Sequence, residues 1–100
     1  MMRLDLKDSG LTPRSKLNKH MTKAIGQVIR SAREAKGLSQ NDVASKLGVD
    51  RSMVSNWETG TFRADPEKIF LMSQLFATDL WFQIGEVIMG DIHKYTNTSE

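Results

Sequence analysis

Residues Ser39–Gly60, SQNDVASKLGVDRSMVSNWETG, decide how this chain is to be read. Ser39 with Asp42 three residues later is the pattern of a capping box, in which hydroxyl and carboxylate each satisfy a backbone N–H at a helix start. Val43, Ala44 and Leu47 then form one apolar stripe at helical spacing, and Gly48 offers the left-handed residue that ends a helix. Val49 plugs the corner and Asp50 caps a second helix, whose apolar members are Met53, Val54 and Trp57 and which Gly60 stops. Two short helices joined by a tight turn are expected. With Val54 and Trp57 turned inward, the 3.6-residue period leaves Arg51, Ser52, Ser55 and Asn56 on one outward stripe.

That stripe has the chemistry of base-edge recognition. The guanidinium of Arg51, on the first turn, can donate two hydrogen bonds to guanine O6 and N7, and Asn56 can pair bidentately with adenine N6 and N7. Ser52 and Ser55 are adaptable and discriminate weakly. The bland alternatives are an arginine that touches only phosphate and an asparagine that fills a solvated face. Trp57 is expected in the core, because its neighbours Val54 and Glu58 face inward in the same register.

Working outward, the pattern stays helical and no strand competes. Thr12-Pro13 offers a cap followed by proline at a first helical position, and Leu17, Met21, Ile25, Val28 and Ala32 recur at spacings of four and three up to Lys36 and Gly37. The competing reading of the early part is a basic arm carrying Arg14, Lys16, Lys19 and Lys23, or a stretch upstream of a start at Met21. Residues 1–11 have little pattern, although Leu4, Leu6 and Leu11 are available to dock. After the loop Gly60–Ala64, Asp65-Pro66 opens a helix with Ile69, Met72, Leu75 and Phe76 inside. Thr78 is expected to cap a last helix, running to about Met89 with Leu80, Trp81, Ile84 and Ile88 as its inner stripe; the polar residues after Gly90 are expected to fray. The expected organisation is an extension or arm over 1–20, a domain over 21–90 and a tail over 91–100.

Composition narrows the class. One hundred residues allow one small domain of modest stability. There is no cysteine, which excludes disulfides and thiolate metal sites, and no apolar run approaches a membrane span of about 18 residues. A soluble cytoplasmic protein is expected. The net charge of +2 is unevenly spread: residues 1–60 carry 11 Lys/Arg against 6 Asp/Glu, and residues 61–100 carry 3 against 6. The half with the paired short helices is therefore the positive half, suited to phosphate. His20 and His93 lie far apart in sequence without neighbouring ligands, Gly85–Gly90 lacks the Lys-Ser/Thr of a phosphate loop, and Asn97-Thr98-Ser99 lacks a secretory context. No serine has a base and orienting acid, and no carboxylates pair, so neither catalysis, metal nor cofactor is expected.

The residues Gly37-Leu38-Ser39-Gln40, Val43-Ala44, Leu47-Gly48-Val49, Ser52, Val54-Ser55 and Trp57-Glu58-x-Gly60 closely resemble the lambda-repressor/Cro family of helix-turn-helix domains. The resemblance covers Ile25 to about Ile84. It implies an all-α, compact five-helix domain, here with an N-terminal extension, that binds double-stranded operator DNA as a dimer. By this resemblance the base-reading positions fall on Arg51, Ser52 and Asn56, with Ser55 between them. Gln40 and Asn41 match phosphate anchors at a helix N-terminus, where backbone N–H groups attract anions. Thr59, Thr61 and Arg63 match a second phosphate-contacting loop, poorer in positive charge than in many relatives. Arg33 and Glu58 match a partly buried ion pair. Two residues depart from the pattern: Asp50 caps where Ser or Thr is common, and Phe76 stands where a helix-ending glycine is usual.

A sequence-specific transcriptional regulator is implied, a repressor of phage or mobile-element type acting as a homodimer. Phe82 and Met89 are apolar residues left over on the last helix, and Gly85 beside them lets a partner helix approach. The rival readings are an antitoxin-like module that grips a partner protein and also binds DNA, and a restriction-modification controller.

Overall fold

Proline lacks the N–H that a first helical turn cannot use and has φ already set for a helix, so Pro13 opens the first element. In the computed structural model, which describes the backbone of residues 13–96 and the side chains of residues 18–90, α1 runs Pro13–Ala35, α2 Gln40–Leu47, α3 Arg51–Thr59, α4 Pro66–Phe76 and α5 Leu80–Thr96. The described residues form a compact all-helical fold. The readings made for Leu4, Leu6, Leu11, Thr12 and Asn97–Ser99 lie outside the described residues, as do the side chains of Arg14, Lys16, Leu17 and His93. Helix α1 passes without a break through the expected boundary at residue 20, and α5 through that at residue 90.

Helix α1 packs on α3 and α5, α2 on α3 and α4, and α4 on α5. Ile29, Val43, Val54, Ile69, Met72 and Leu80 are fully buried at the meeting point, each worth roughly 1.5–3 kcal/mol of removed apolar surface. Ile29, absent from the expected stripe of α1, is its most buried side chain at 0% exposure. Where α1 crosses the end of α3, Gly26 lies so close that an added Cβ would fall 2.2 Å from the carbonyl oxygen of Trp57. Only a residue without a side chain lets the two backbones meet there.

Four helix ends share one device. Gly37, Gly48, Gly60 and Ala77 all adopt the left-handed conformation (φ 75°, 71°, 82° and 56°), and the next residue's N–H reaches back to the carbonyl five positions earlier, as from Val49 to Ala44 at 3.0 Å and from Thr78 to Ser73 at 3.1 Å. At α4 the departure at Phe76 is thereby explained. Phe76 is buried, and Ala77 takes the left-handed turn one residue later.

Three expectations for α5 are corrected. Its cap is Asp79, whose Oδ1 accepts from the N–H of Phe82 at 3.1 Å, while the Thr78 hydroxyl accepts from Gln83 Nε2 at 2.6 Å. Trp81 is outside at 50% exposure: with Leu80 and Ile84 buried and Ile88 half-buried, a residue rotated by about 100° falls on another face. The helix also continues past Met89 to Thr96, because Gly90 costs an established helix only about 1 kcal/mol and no proline follows. In α3, Met53 is 39% exposed and contributes little to the core. Asp50 holds the cap position of α3 but makes no side-chain cap hydrogen bond.

Candidate nucleic-acid interface

Local chemistry builds the two helices of the interface before packing orients them. Ser39 Oγ accepts from the N–H of Asp42 at 2.9 Å, and Asp42 Oδ2 accepts from the N–H of Ser39 at 2.8 Å. The bond from the Ser39 N–H to the carboxylate, followed by the influence of the nearby Ser39 hydroxyl, holds the Asp42 carboxyl below its ordinary pKa. Gly48 ends α2, and half-buried Val49 packs against the core at the turn into α3. Val54, Trp57 and Glu58 are the buried face of α3. Arg51 and Ser52 are exposed, and Ser55 and Asn56 are half-buried on its flank.

Beneath that face lies a polar network. Glu58, with 2% of its side chain exposed, accepts from Arg33 through Nε to Oε2 at 2.6 Å and through Nη2 to Oε1 at 3.0 Å. Arg33 also donates to the carbonyl oxygen of Leu38 at 2.7 Å. The hydrogen bond to Glu58 raises the Arg33 guanidinium above its ordinary pKa against the opposing effect of burial. The pair ties the end of α1 to the end of α3.

The network extends to the surface. Gln40 Nε2 donates to Glu58 Oε1 at 3.0 Å, and Arg51 Nη1 donates to Gln40 Oε1 at 3.1 Å. A carboxylate only accepts, so Glu58 dictates which way the Gln40 amide points and leaves its oxygen facing Arg51. Arg51 is held by one nitrogen, and its remaining donors stay available. Sequence reasoning placed Gln40 and Arg51 in separate roles and missed this link, since eleven residues separate them and nothing local joins them.

The loop after α3 is organised around the carbonyl of Asn56, which accepts from the N–H groups of Thr61 at 2.9 Å and Phe62 at 3.2 Å. The hydroxyls of Thr59 and Thr61 lie 2.9 Å apart, both exposed. Arg63 turns toward α1: Nε donates to Thr22 Oγ1 at 3.0 Å, and Nη2 to Asn18 Oδ1 at 2.8 Å and Asn18 O at 3.1 Å. Asn41 is exposed on the first turn of α2. Phe82, Gly85 and Met89 lie exposed together on α5, joined there by Trp81. Among the described residues no group of His, Asp or Glu is arranged to hold a metal ion, and no helix is long and apolar enough to cross a membrane.

Paired short helices with a buried scaffold and an outward polar stripe define a helix-turn-helix domain. A family model of that kind, the XRE or lambda-repressor-like helix-turn-helix, matches residues 29–80, more than half of the chain, and the chain belongs to this family. It is a DNA-binding transcription regulator. Comparison with curated proteins and with solved structures gives no significant match.

Proposed function

We propose that the chain is a repressor of phage or mobile-element type that binds a pseudo-palindromic operator as a homodimer. The observation that carries this reading is the exposed Arg51 on the first turn of α3, tethered through Gln40 to a buried ion pair. A guanidinium oriented by one nitrogen and open at the others is suited to bidentate contact with guanine in the major groove. Ser52, Ser55 and Asn56 extend the reading face along α3. Gln40, Asn41, Thr59 and Thr61 flank it as phosphate contacts, with the Nη1 of Arg63 available beside them. A single eight-to-nine-residue helix pair contacts one half-site, so pairing two protomers through Trp81, Phe82, Gly85 and Met89 supplies the second.

Selection from random duplex DNA tests this reading. Two half-sites with centres about 10–10.5 base pairs apart are expected. Arg51→Ala should cost about 1–3 kcal/mol on the selected site and relax one base pair per half-site. Gln40→Ala removes a phosphate donor and the tether of Arg51 together, so it should weaken every duplex and relax the same base pair. Recovery of no enriched half-site, or an unchanged motif with Arg51→Ala, contradicts the proposed recognition face. An unrelated partner protein recovered in place of a second copy would favour the antitoxin-like reading.

A further inference from the structure

The loop after the recognition helix carries a single cation, Arg63, and that cation is largely spent on α1. Its bonds to Asn18 and Thr22 fasten the part of α1 that precedes the family match at residue 29. On the same stretch Lys19 and Lys23, one helical turn apart, share a face. Both are exposed, and among the described residues neither makes an ion pair. They line an open hollow of about 650 Å³ together with Thr59, Gly60 and Thr61. The contact is intimate: a Cβ on Gly60 would lie 2.8 Å from the Cα of Lys23. No Asp or Glu occurs between residues 9 and 33, so nothing on this stretch of α1 neutralises the lysines.

The setting gives those charges a target. An α-helix of about 10–12 Å diameter fills a major groove of about 12 Å width, so whatever touches the end of the recognition helix must abut the phosphates that border the groove. We propose that Lys19 and Lys23, with the hydroxyls of Thr59 and Thr61, form a phosphate-binding clamp on the DNA backbone beside each half-site. Arg63 is the positioning residue that holds the clamp against the end of α3. The clamp rests on the reading of α3 as the recognition helix, and it gives the extension of α1 a function of its own: sequence-independent affinity in place of the charge that the loop lacks.

Salt dependence provides the test, because each phosphate contact contributes about −0.9 to the slope of log K against log salt. The full chain and Lys19→Gln/Lys23→Gln are titrated by fluorescence anisotropy against the selected operator and against a 30-base-pair duplex of arbitrary sequence (a length of about three helical turns). The variant is expected to lose about 2 in slope per bound protomer on both duplexes, with the selected motif unchanged and restored by Lys19→Arg/Lys23→Arg. In an Arg63→Ala background the lysine replacements should cost less than in the parent, because the clamp is no longer held in place. A lysine variant with the parent's salt slope overturns the clamp and leaves the regulator reading standing. Failure of the parent chain to bind either duplex overturns both.

Discussion

Helices α2 and α3 are joined to α1 by a buried polar network, whereas α4 and α5 meet through apolar side chains and leave large ones outside. In the first region Arg33, Glu58 and Gln40 satisfy one another, and the surface above them is hydrophilic. In the second, Ile69, Met72, Phe76 and Leu80 are buried, while Phe82 and Met89 remain 61% and 66% exposed around Gly85. A directional network fixes the angle of α3, the helix that carries the exposed Arg51. An apolar face tolerates small rotations and matches a surface of its own kind. The difference teaches that one half carries a rigidly held polar surface, the kind the proposed DNA contact needs, while the other leaves large apolar side chains in solvent, the kind the proposed dimer would cover.

The comparison breaks most visibly at the ion pair. Arg33→Ala or Glu58→Ala strands a buried charge and is expected to cost about 3–5 kcal/mol, with the double replacement costing less than the sum. Urea denaturation of the four proteins measures this, and strict additivity would show that the pair is not coupled. The exposed pair Arg30–Glu34, at 3.1 Å on the same helix, is the control: Arg30→Ala, which leaves Glu34 beside Arg33, should cost no more than about 0.5 kcal/mol.

At the apolar face, Phe82→Glu is expected to weaken the proposed dimer by about 2 kcal/mol, the scale of a central interface residue. Sedimentation equilibrium checks this. A dimer constant unmoved by Phe82→Glu moves the interface elsewhere on the molecule.

A smaller change sharpens the comparison at the joint between α4 and α5. Three of the four left-handed helix ends use glycine, and the fourth uses Ala77. A side chain in that conformation costs roughly 1–2 kcal/mol, of which the greater freedom of glycine in the unfolded chain takes back about half. Ala77→Gly should therefore stabilise the fold by about 0.5–1 kcal/mol, seen as a raised denaturation midpoint at unchanged cooperativity. The weakest effect belongs to the exposed cap of α2. Because the folded-state pKa of Asp42 is lowered by its bonds to Ser39, its contribution is present above the ordinary carboxylate pKa of about 3.9 and fades as pH falls through the lowered value. Comparing acid titrations of the parent and Ser39→Ala should show a slightly shallower loss of stability in the variant.

Much of the interface was legible because it is written in short-range chemistry. The Ser39–Asp42 box, the glycine ends at 48 and 60, and the inward Val54 and Trp57 each depend on residues within one or two turns. Gly26 was illegible for the opposite reason: inside a helix it looks like a weakness, and only the crossing of α1 over the end of α3 makes it a requirement. Trp81 misled because an aromatic residue beside Leu80 invites burial, yet the rotation of α5 is set by which stripe meets α1 and α4.

By itself the sequence determined the five helices, the turn between α2 and α3, and the set of polar residues on the outer side of α3, since periodicity and capping act along the chain. Only the tertiary structure decided that Gln40 links Arg51 to Glu58, that Arg63 braces α1, and that Trp81 joins the exposed face. Those outcomes depend on the angles at which helices cross, and a crossing angle is the result of all the buried side chains packing at once.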